Sequence, residues 1–522
     1  MGKLAKIYDR ALSSLGLRRV SNSAGIVPGT ESFQVLKDWI ESPLKASGSL
    51  DWDLRNKIFR LRQKSRLLGL NNPLVRQYLQ LLEQNVIGAK GIRLQAQVRN
   101  NDGSLNKGIN DKIEAGWIDF WRDPWVDGRM SGVAGEQLLI RTVAVDGEAF
   151  IRRIRGSKYR YGVKLQMIDA DLVDHQYNRP RGTQGENEIR LGIEVDEWGK
   201  GVAVWVWSSQ PQDINTSIPR KRSRIPAEEI IHIYDPERIN QTRGITWLNS
   251  IMLQADILNG YVEATLLAAR TGACSMPMFK HTNQDLYDVA ANGTTKAPVF
   301  NIELNPGGGL TLPPGLEMQE FKPTQITTGF GEFTKENKRW MSSGLCTSYN
   351  ALANDLEGVS YSSMRSGLLI ERDSWKCLQQ MWIDRFRSPV FEWFLTDALL
   401  VGALMLDSRD PRKFLAAKWV PRGWPWVDPL KDVNAAVIAI ENGMGSRTGY
   451  LAEQGEDFEE TCEELKEEKR IADEAGLDFS GGAVSSKDVL RQVEEEENPT
   501  PEQTATDKKK TLALVAAHQR GA

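Results

Sequence analysis

Cysteine and histidine are scarce in this sequence, and neither forms a cluster. The four cysteines are widely spaced and include no CxxC pair, so they indicate neither a zinc site nor a disulfide framework. The default environment is therefore a reducing one. The four histidines are scattered and form no HExxH motif, which leaves a metal hydrolase without support and predicts no cofactor.

Long apolar runs and an excess of positive charge are also missing. No run of 18 apolar residues is present, so the sequence predicts no membrane span and no membrane partner. The opening MGKLAKIYDRALSSLGLRR is a poor signal peptide, and Lys6 replaces the Ser or Thr of a myristoylation site. With a formal net charge of −3, the chain is expected to meet nucleic acid only through local basic patches.

The motifs of the common enzyme classes are absent or incomplete. No GxxxxGK[ST] motif is present, so the chain lacks a P-loop for nucleotide phosphates. The stretch GVSYS departs from a nucleophile elbow around Ser360, because Ser362 stands where the second glycine is needed and a helix precedes it. His232, in the strand-like stretch EIIHIYD, is interpreted as a core or edge residue. We therefore predict a protein that is not an enzyme.

The sequence does contain alternating helical and β-type segments. Its 522 residues, 40% hydrophobic content and sixteen tryptophans predict about three subdomains with filled cores. A helix over DLRNKIFRLRQKSRLLGL, capped by Asp51 or Asp53, opens a helical part that continues to Asp146. From Gly147 apolar and polar residues alternate with a period of two, which predicts antiparallel strands. The predicted fold class is α+β.

Three long helices are predicted in the second half of the chain. The first covers residues 245–273, and a Pro- and Gly-rich stretch after it, 276–325, is predicted to be a small β-rich insertion. The second is predicted over about 331–345. The third is predicted over about 364–400, with a kink at Pro389. The chain then becomes helical and strongly acidic and ends in a tail of disordered composition.

Candidate contacts to DNA are three clusters of Lys and Arg: Arg55–Arg66, Arg152–Lys164 and Arg220–Arg224. Each alone is more typical of a solvated face, and few aromatic residues suited to base stacking accompany them. Any DNA contact is therefore expected through the charge of its backbone. Asp169 and Asp171 are the best candidates for a carboxylate nuclease, although an acidic edge between a strand and a turn explains them as well.

The order of these pieces carries a resemblance to a known family. The stretches that carry it are IYDPERINQTRGITWLNSIM, VEATLLAARTGA, GVSYSSMRSGLLIERDSW and WVDPLKDVNAAVIAIENGMGSRTGYLAEQGEDFEE. A long helix, a small β insertion, a returning helix, a hydroxyl-rich segment and a long kinked helix follow one another. This arrangement resembles the portal proteins of tailed bacteriophages, most closely the lambda-type family, over roughly residues 30–475.

The resemblance implies a ring, commonly of twelve subunits, at one capsid vertex, with a central channel for double-stranded DNA met without sequence specificity. It implies contacts with the terminase large subunit, the head–tail connector, and the major capsid and scaffold proteins. It places the protein in the virion after assembly in the host cytoplasm. The implied parts are a flexible N-terminal arm (1–29), a wing (30–243), a stem helix (245–272), a clip (274–328), a second stem helix (330–346), a tunnel loop (347–363), a kinked long helix with wing return (364–427), a helical crown (428–475) and a disordered tail (480–522).

The channel lining is predicted to combine the hydroxyl-rich segment NALANDLEGVSYSSMRSG with one face of the second stem helix. Hydroxyls, amides and charges of mixed sign give a weak surface of many contacts, as conduction without tight binding requires. We expect residues 350–363 to form a mobile loop at the narrowest part of the channel. The expected channel residues are Lys335, Lys338, Arg339, Asn354, Asp355, Glu357, Ser360, Tyr361, Ser362, Ser363 and Arg365.

Two functions of other classes stay open at this point. One is a metal-dependent nuclease that uses Asp169 and Asp171, and a nuclease assay with divalent metal tests it. The other is a scaffold or adaptor whose basic helix binds anionic partners. An image of the purified protein separates both from a ring with a central hole.

Overall fold

The computed structural model describes residues 48–182, 186–209, 220–273, 277–281, 316–320, 329–408, 410–424, 429–456 and 458–475. The chain divides into two compact units. Of the described residues, the first comprises those up to 83 with those of 137–154 and 165–374, and the second comprises those of 84–136, 155–164 and from 375 onward. The mixture of helices and antiparallel strands confirms the predicted α+β class. The predicted arm (1–29), the predicted tail (480–522) and most of the predicted clip (274–328) lie outside the described residues.

The described elements follow in chain order. The α-helices are α1 (Leu50–Leu54), α2 (Ile58–Asn71), α3 (Pro73–Leu82), α4 (Lys107–Arg122), α5 (Gly132–Asp146), α6 (Met252–Ala273), α7 (Phe330–Gly344), α8 (Tyr349–Ala353), α9 (Tyr361–Trp382), α10 (Ser388–Val401), α11 (Pro429–Glu441), α12 (Arg447–Glu453) and α13 (Phe458–Ala475). The strands are β1 (Arg93–Ala96), β2 (Glu148–Arg155), β3 (Val163–Ile168), β4 (Glu188–Arg190), β5 (Ile193–Val195), β6 (Gly201–Trp207), β7 (Arg222–Pro226), β8 (Ile230–Tyr234), β9 (Pro277–His281), β10 (Leu316–Glu320) and β11 (Ala417–Val420).

The first predicted helix is divided in two, and its predicted cap is wrong. Ser49, rather than Asp51 or Asp53, caps α1 by accepting a hydrogen bond from the N–H of Trp52. The carboxylate of Asp51 is instead used in a tertiary contact, because it accepts hydrogen bonds from the N–H and the hydroxyl of Thr242 at 2.9 and 2.5 Å. A turn then separates α1 from α2.

The period-two region forms the sheets that the sequence predicts. One sheet has three strands in the order β3-β2-β8, and the other has four in the order β4-β5-β6-β7. Strands β2 and β8 pair antiparallel, with Phe150 opposite His232. Buried side chains including Phe150, Val173, Ile193 and Val204 form a core cluster between these elements. This core holds the first residue of β2, Glu148, in a fully buried position.

Helices α6 and α7 run antiparallel against each other in the first unit. The ring of Tyr261 lies 4.4 Å from that of Phe333, and the hydroxyl of Ser250 donates to the carbonyl of Gly344 at 2.7 Å. The prediction of α7 over about 331–345 is confirmed to within one residue at either end. Between the two helices in sequence, β9 and β10 pair antiparallel, as the predicted β insertion requires; its remaining residues lie outside the described part.

The third long helix is interrupted just before Pro389 rather than at it. Helix α9 ends at Trp382, a π-helical turn covers Ile383–Arg387, and α10 starts at Ser388. A proline has no N–H to donate to the preceding turn, and its ring clashes with the carbonyl four residues earlier. The wider π turn relieves both problems, so the helix continues after it.

The second unit has an aromatic core around one buried ion pair. The ring of Trp117 contacts those of Trp121, Phe391 and Phe394 at centroid distances of 4.9–5.5 Å. Arg387 is buried beside this cluster and donates to a carboxylate oxygen of Glu136 at 2.7 Å. Among the described helices, none combines the length and the apolar character that crossing a membrane requires.

Candidate functional site

The hydroxyl-rich segment is shorter as a loop than the sequence predicts. Its first part is α8, which Ser348 caps, and its end is the start of α9, so the prediction of a loop over residues 350–363 is wrong at both ends. The non-helical part is 354–360. It begins at Asn354, with φ of 51°, and passes through Gly358, with φ of 70°.

The serines shorten this loop because they cap helices. The hydroxyl of Ser348 accepts a hydrogen bond from the N–H of Ala351, and the hydroxyl of Ser360 accepts one from the N–H of Ser363, each at 3.3 Å. Leu352 of α8 is 1% exposed, which fixes this short helix to the first unit. The same residue type that indicates a loop from sequence therefore starts a helix here.

The contacts of the Ser360 hydroxyl within the described residues are to neighbouring serines. This hydroxyl lies 2.8 Å from the hydroxyl of Ser363 and 3.3 Å from that of Ser362. A nucleophilic serine needs a base within hydrogen-bond distance to take its proton. Among the described residues no such group contacts Ser360, in agreement with the incomplete elbow motif.

Asp355 organises the turn and lies close to positive charge. It accepts hydrogen bonds from the hydroxyl of Tyr349 at 2.6 Å and from the N–H of Glu357 at 3.0 Å. These bonds lower the pKa of Asp355, and the charges of Lys335 and Lys338 on α7 lower it further. Burial and the bond to Asp355 raise the pKa of Tyr349 to about 12. The turn and the basic helix therefore share one surface of mixed charge.

The predicted basic stripe on α7 contains cations of two kinds. Arg339 is exposed and forms an ion pair with Glu336 one turn earlier at 2.5 Å. Lys335 and Lys338 are half-buried, and within the described part of the chain neither has a hydrogen-bond or ion-pair partner. The two lysines are thus the cations of the stripe that remain available to an anion.

The other predicted channel residues differ in exposure. Asn354, Glu357, Ser360, Ser362 and Ser363 have exposed side chains. Arg365 is half-buried on α9. The side chain of Tyr361 lies outside the described part of the structure.

A buried carboxylate that the sequence analysis missed holds this surface in place. Glu371 of α9 is 7% exposed and accepts hydrogen bonds from the hydroxyls of Thr347 and Ser348, both at 2.7 Å. These two residues lie between α7 and α8, so the contact joins both helices to α9. Their separation from Glu371 by more than twenty residues leaves no local signal in the sequence.

One residue of the first basic cluster, Arg62, is structural, whereas Arg55 and Arg60 are exposed. Arg62 is 1% exposed and contacts Glu148, and it also donates to a carboxylate oxygen of Asp171 at 3.2 Å. Arg243 reaches Glu148 from another element, and its Nη2 lies 2.5 Å from the Glu148 carboxylate. The expectation that Arg55–Arg66 is either a solvated face or a DNA contact is wrong for Arg62, because its charge is neutralised inside the protein.

The other two basic clusters are also largely paired with acids. Arg160 lies 2.6 Å from a carboxylate oxygen of Asp119. Arg222 contacts Asp174 and Arg224 contacts Glu194, at 3.4 and 2.7 Å. Paired guanidinium groups leave less positive charge for DNA than the sequence analysis allowed.

The candidate nuclease carboxylates are used in ion pairs as well. Arg66 lies 3.0 Å from Asp169 and 2.6 Å from Asp171. Asp169 also accepts a hydrogen bond from the N–H of Asp171, which caps the short helical turn Ala170–Leu172. Within the described ranges, no three His, Cys, Asp or Glu side chains are grouped so as to hold a metal ion. Both carboxylates thus neutralise Arg66 at the edge between a strand and a turn, which is the alternative that the sequence also allowed.

His232 is a structural residue, as interpreted from its strand. Its Nε2 lies 2.8 Å from Glu148, and its ring stacks on those of Phe150 and Tyr234 at 4.2 and 4.4 Å. Burial lowers the pKa of His232 below its usual range. Burial by itself would raise the pKa of Glu148, but Arg243 and Arg62 hold it well below its usual range.

Comparison with known proteins identifies the family. A model of the family described as phage portal protein, lambda family, matches residues 39–379. The chain belongs to this family. A probable portal protein of Halomonas phage phiHAP-1 is 33% identical over 455 residues, which are 86% of this chain and 87% of that protein. Portal protein B of Escherichia phage lambda is 23% identical and covers 75% of this chain and 79% of its own length.

Two solved structures are also similar to the chain. A chain from the neck of a native gene transfer agent particle matches with 11% identity and a TM-score of 0.41, over 76% of this chain and 94% of that one. A phage portal protein of the HK97 family from Corynebacterium diphtheriae matches with 12% identity and a TM-score of 0.29, over 59% and 85%. Phage portal proteins are structural proteins, so the family agrees with the absence of enzyme motifs in the sequence.

Proposed function

We propose that the chain is one subunit of a portal ring at a single vertex of a phage capsid, and that double-stranded DNA enters and leaves through the centre of the ring. The family supports the portal function itself. The observation that carries the channel proposal is the effect of the charges of Lys335 and Lys338 on Asp355, in the turn that leads to the exposed hydroxyls of Ser360 and Ser363. These groups suit an anion that binds weakly and dissociates readily as it passes.

We infer the parts of the ring from the order of the elements. Helices α6 and α7 form the stem, β9 and β10 belong to the clip, and residues 347–363 lie at the tunnel. Helices α11, α12 and α13 belong to the crown, and the remaining described elements form the wing. The ring has twelve subunits, its clip meets the terminase large subunit and later the head–tail connector, and its wing meets capsid and scaffold proteins. The protein has no catalytic step of its own.

The charges near the tunnel keep the contact with DNA weak. Each phosphate contact by Lys or Arg adds affinity that depends on salt. Asp355 lies within the electrostatic influence of Lys335 and Lys338, and Glu336 pairs with Arg339 on the same helix, so the ring would present both signs of charge to the passing backbone. Mixed signs lower the attraction at any one position, which favours movement over tight binding.

The proposal is tested by changing Lys335, Lys338 and Arg339 together to Gln. We expect rings with a central hole in electron micrographs, as in the wild type, and a changed rate of DNA packaging or a changed retention of packaged DNA. The matched control changes three exposed cations elsewhere, Lys112, Lys221 and Arg412, to Gln. If the wild type forms no rings, the proposal is wrong; if both triple variants package and retain DNA equally, the channel surface is wrong.

A further inference from the structure

Helix α6 has an exposed apolar face in addition to the face that packs inside the subunit. The inner face includes Ala255 and Leu258, which are 0% and 5% exposed. On the opposite side lie the residues that we call the second apolar face of α6. They are Ile257, Gly260, Ala264 and Ala268, all exposed, at spacings of three, four and four residues. Such spacings place them on one stripe of the helix.

This second apolar face carries no charge and has open space before it. No atom lies within 4 Å of a Cβ built on Gly260. A face without charge or hydrogen-bond donors cannot hold phosphates, so DNA is not its partner. A helix that is apolar on two opposite sides is typically buried on both. The occupant must therefore be an apolar surface of a protein.

Helix α7 of the same chain offers a surface of complementary size. Trp340 is 67% exposed, whereas Phe333, two turns earlier, is 40% exposed and contacts Tyr261 of the same subunit, so Trp340 is the aromatic side chain that this surface leaves open. Gly260 and Ala264 have small side chains, which allow an indole to approach the α6 backbone closely. A buried tryptophan contributes about 150–250 Å² of contact, which is large for a single side chain.

We propose that Trp340 of each subunit packs on the second apolar face of α6 in the next subunit, over Ile257 and Gly260. This inference rests on the proposed portal ring. The two surfaces are different, so the contact is heterologous and repeats from subunit to subunit until the ring closes. A second copy of this chain is thus the occupant of the exposed face.

The levels of the residues along the stem agree with this pairing. Within one subunit, Tyr261 of α6 faces Phe333 of α7, and Ser250, in the turn just before α6, faces Gly344 at the end of α7. The numbers of two residues at the same level therefore add up to about 594. Trp340 is therefore level with about residue 254. Rotation about the ring axis keeps levels unchanged when the stem helices run along it. A helical side chain leans toward the N-terminus of its own helix, which brings the indole about one turn further, to the level of Ile257.

Crosslinking tests the contact directly. The four natural cysteines are first changed to Ser, and Ile257→Cys and Trp340→Cys are then introduced singly and together. A bis-maleimide that spans about 8–10 Å, the distance between packed helix axes, is added to purified rings. We expect a ladder of covalent oligomers up to the full ring with the double variant and monomers with either single variant. The control pair, Glu263→Cys with Trp340→Cys, uses the polar face of α6 and is expected to give no ladder.

The outcomes separate this inference from the portal function. If rings form in micrographs but the Ile257 and Trp340 pair gives no ladder, or only a dimer, the contact is wrong and the portal function stands. If the cysteine-free protein and the wild type form no rings, the portal function fails. As a second measurement, we expect Trp340→Ala to raise the protomer concentration needed for assembly at least tenfold. Trp198→Ala, which removes another exposed tryptophan, is expected to leave it unchanged.

Discussion

Replacing Glu148 by Gln tests whether the buried ionic network holds the first unit together. Glu148 is fully buried, and its carboxylate contacts Arg62, Arg243 and His232 and accepts the N–H of Gly244. Glutamine keeps the size of the side chain but has no charge. Its amide also presents two N–H donors to guanidinium groups that are themselves donors only.

The size of the expected loss of stability depends on the charges that remain buried after the substitution. Removing one partner of a buried ion pair typically costs about 3–5 kcal/mol, because the other charge is left buried without compensation. Arg62 keeps Asp171 and the carbonyl oxygens of Asp146 and Ala170, so the lower end of that range applies to it. At about 2–4 °C for each kcal/mol in a domain of 150–250 residues, the melting temperature should fall by about 6 °C or more.

The measurement is thermal unfolding followed by circular dichroism. Wild type and variant are compared at one protomer concentration, since assembly makes the melting temperature depend on concentration. The control is Glu467→Gln, whose carboxylate is exposed and pairs with the exposed Arg470, and it should leave the melting temperature almost unchanged. A melting temperature for Glu148→Gln equal to that of the control would refute the reasoning.

Three further predictions follow from the structure. Burial lowers the pKa of His232 and of His175, so both histidines bind protons more readily in the unfolded chain. The free energy of unfolding should therefore fall as the pH drops below about 6.5, and urea midpoints at pH 7.5 and 5.5 measure the change. Ser360→Ala should remove a helix cap that contributes about 1 kcal/mol to stability, yet leave DNA packaging almost unchanged. A rate about 10³-fold lower than that of the wild type in a hydrolytic assay would instead indicate a nucleophile. Deleting 354–358 should impair DNA translocation while rings still form in micrographs, and loss of the rings would show a structural role instead.

Hydrophobic periodicity predicts the long elements well, because each of them buries one side. Helix α7 and the strands from Glu148 to Tyr234 lie where the apolar spacing places them. The spacing also predicts that the chain returns as a helix after the β insertion. These features depend on neighbours in sequence, which a single sequence contains.

The ionic network could not be predicted in the same way. The run Arg55–Arg66 has no acid within it, and the carboxylates that neutralise Arg62 and Arg66 lie eighty or more residues away in sequence. Only the folded chain brings them together. The loop prediction at Ser360 was wrong for a different reason. A serine hydroxyl is common in loops, but it is equally suited to the N-cap position of a helix.

Burial decides which cations of this chain are available to an external anion, such as the DNA of the proposed channel. Arg62, Arg243 and Arg387 are each enclosed with a carboxylate, so their charges stabilise the fold and are unavailable to phosphates. The lysines at 335 and 338 have no such partner within the described residues, and they lie beside the turn that contains Asp355. A ring built from this chain would thus meet DNA with a few unpaired lysines set among acids and hydroxyls. The acids beside these lysines oppose the attraction at each position, and for this reason we propose a weak contact that lets the duplex move.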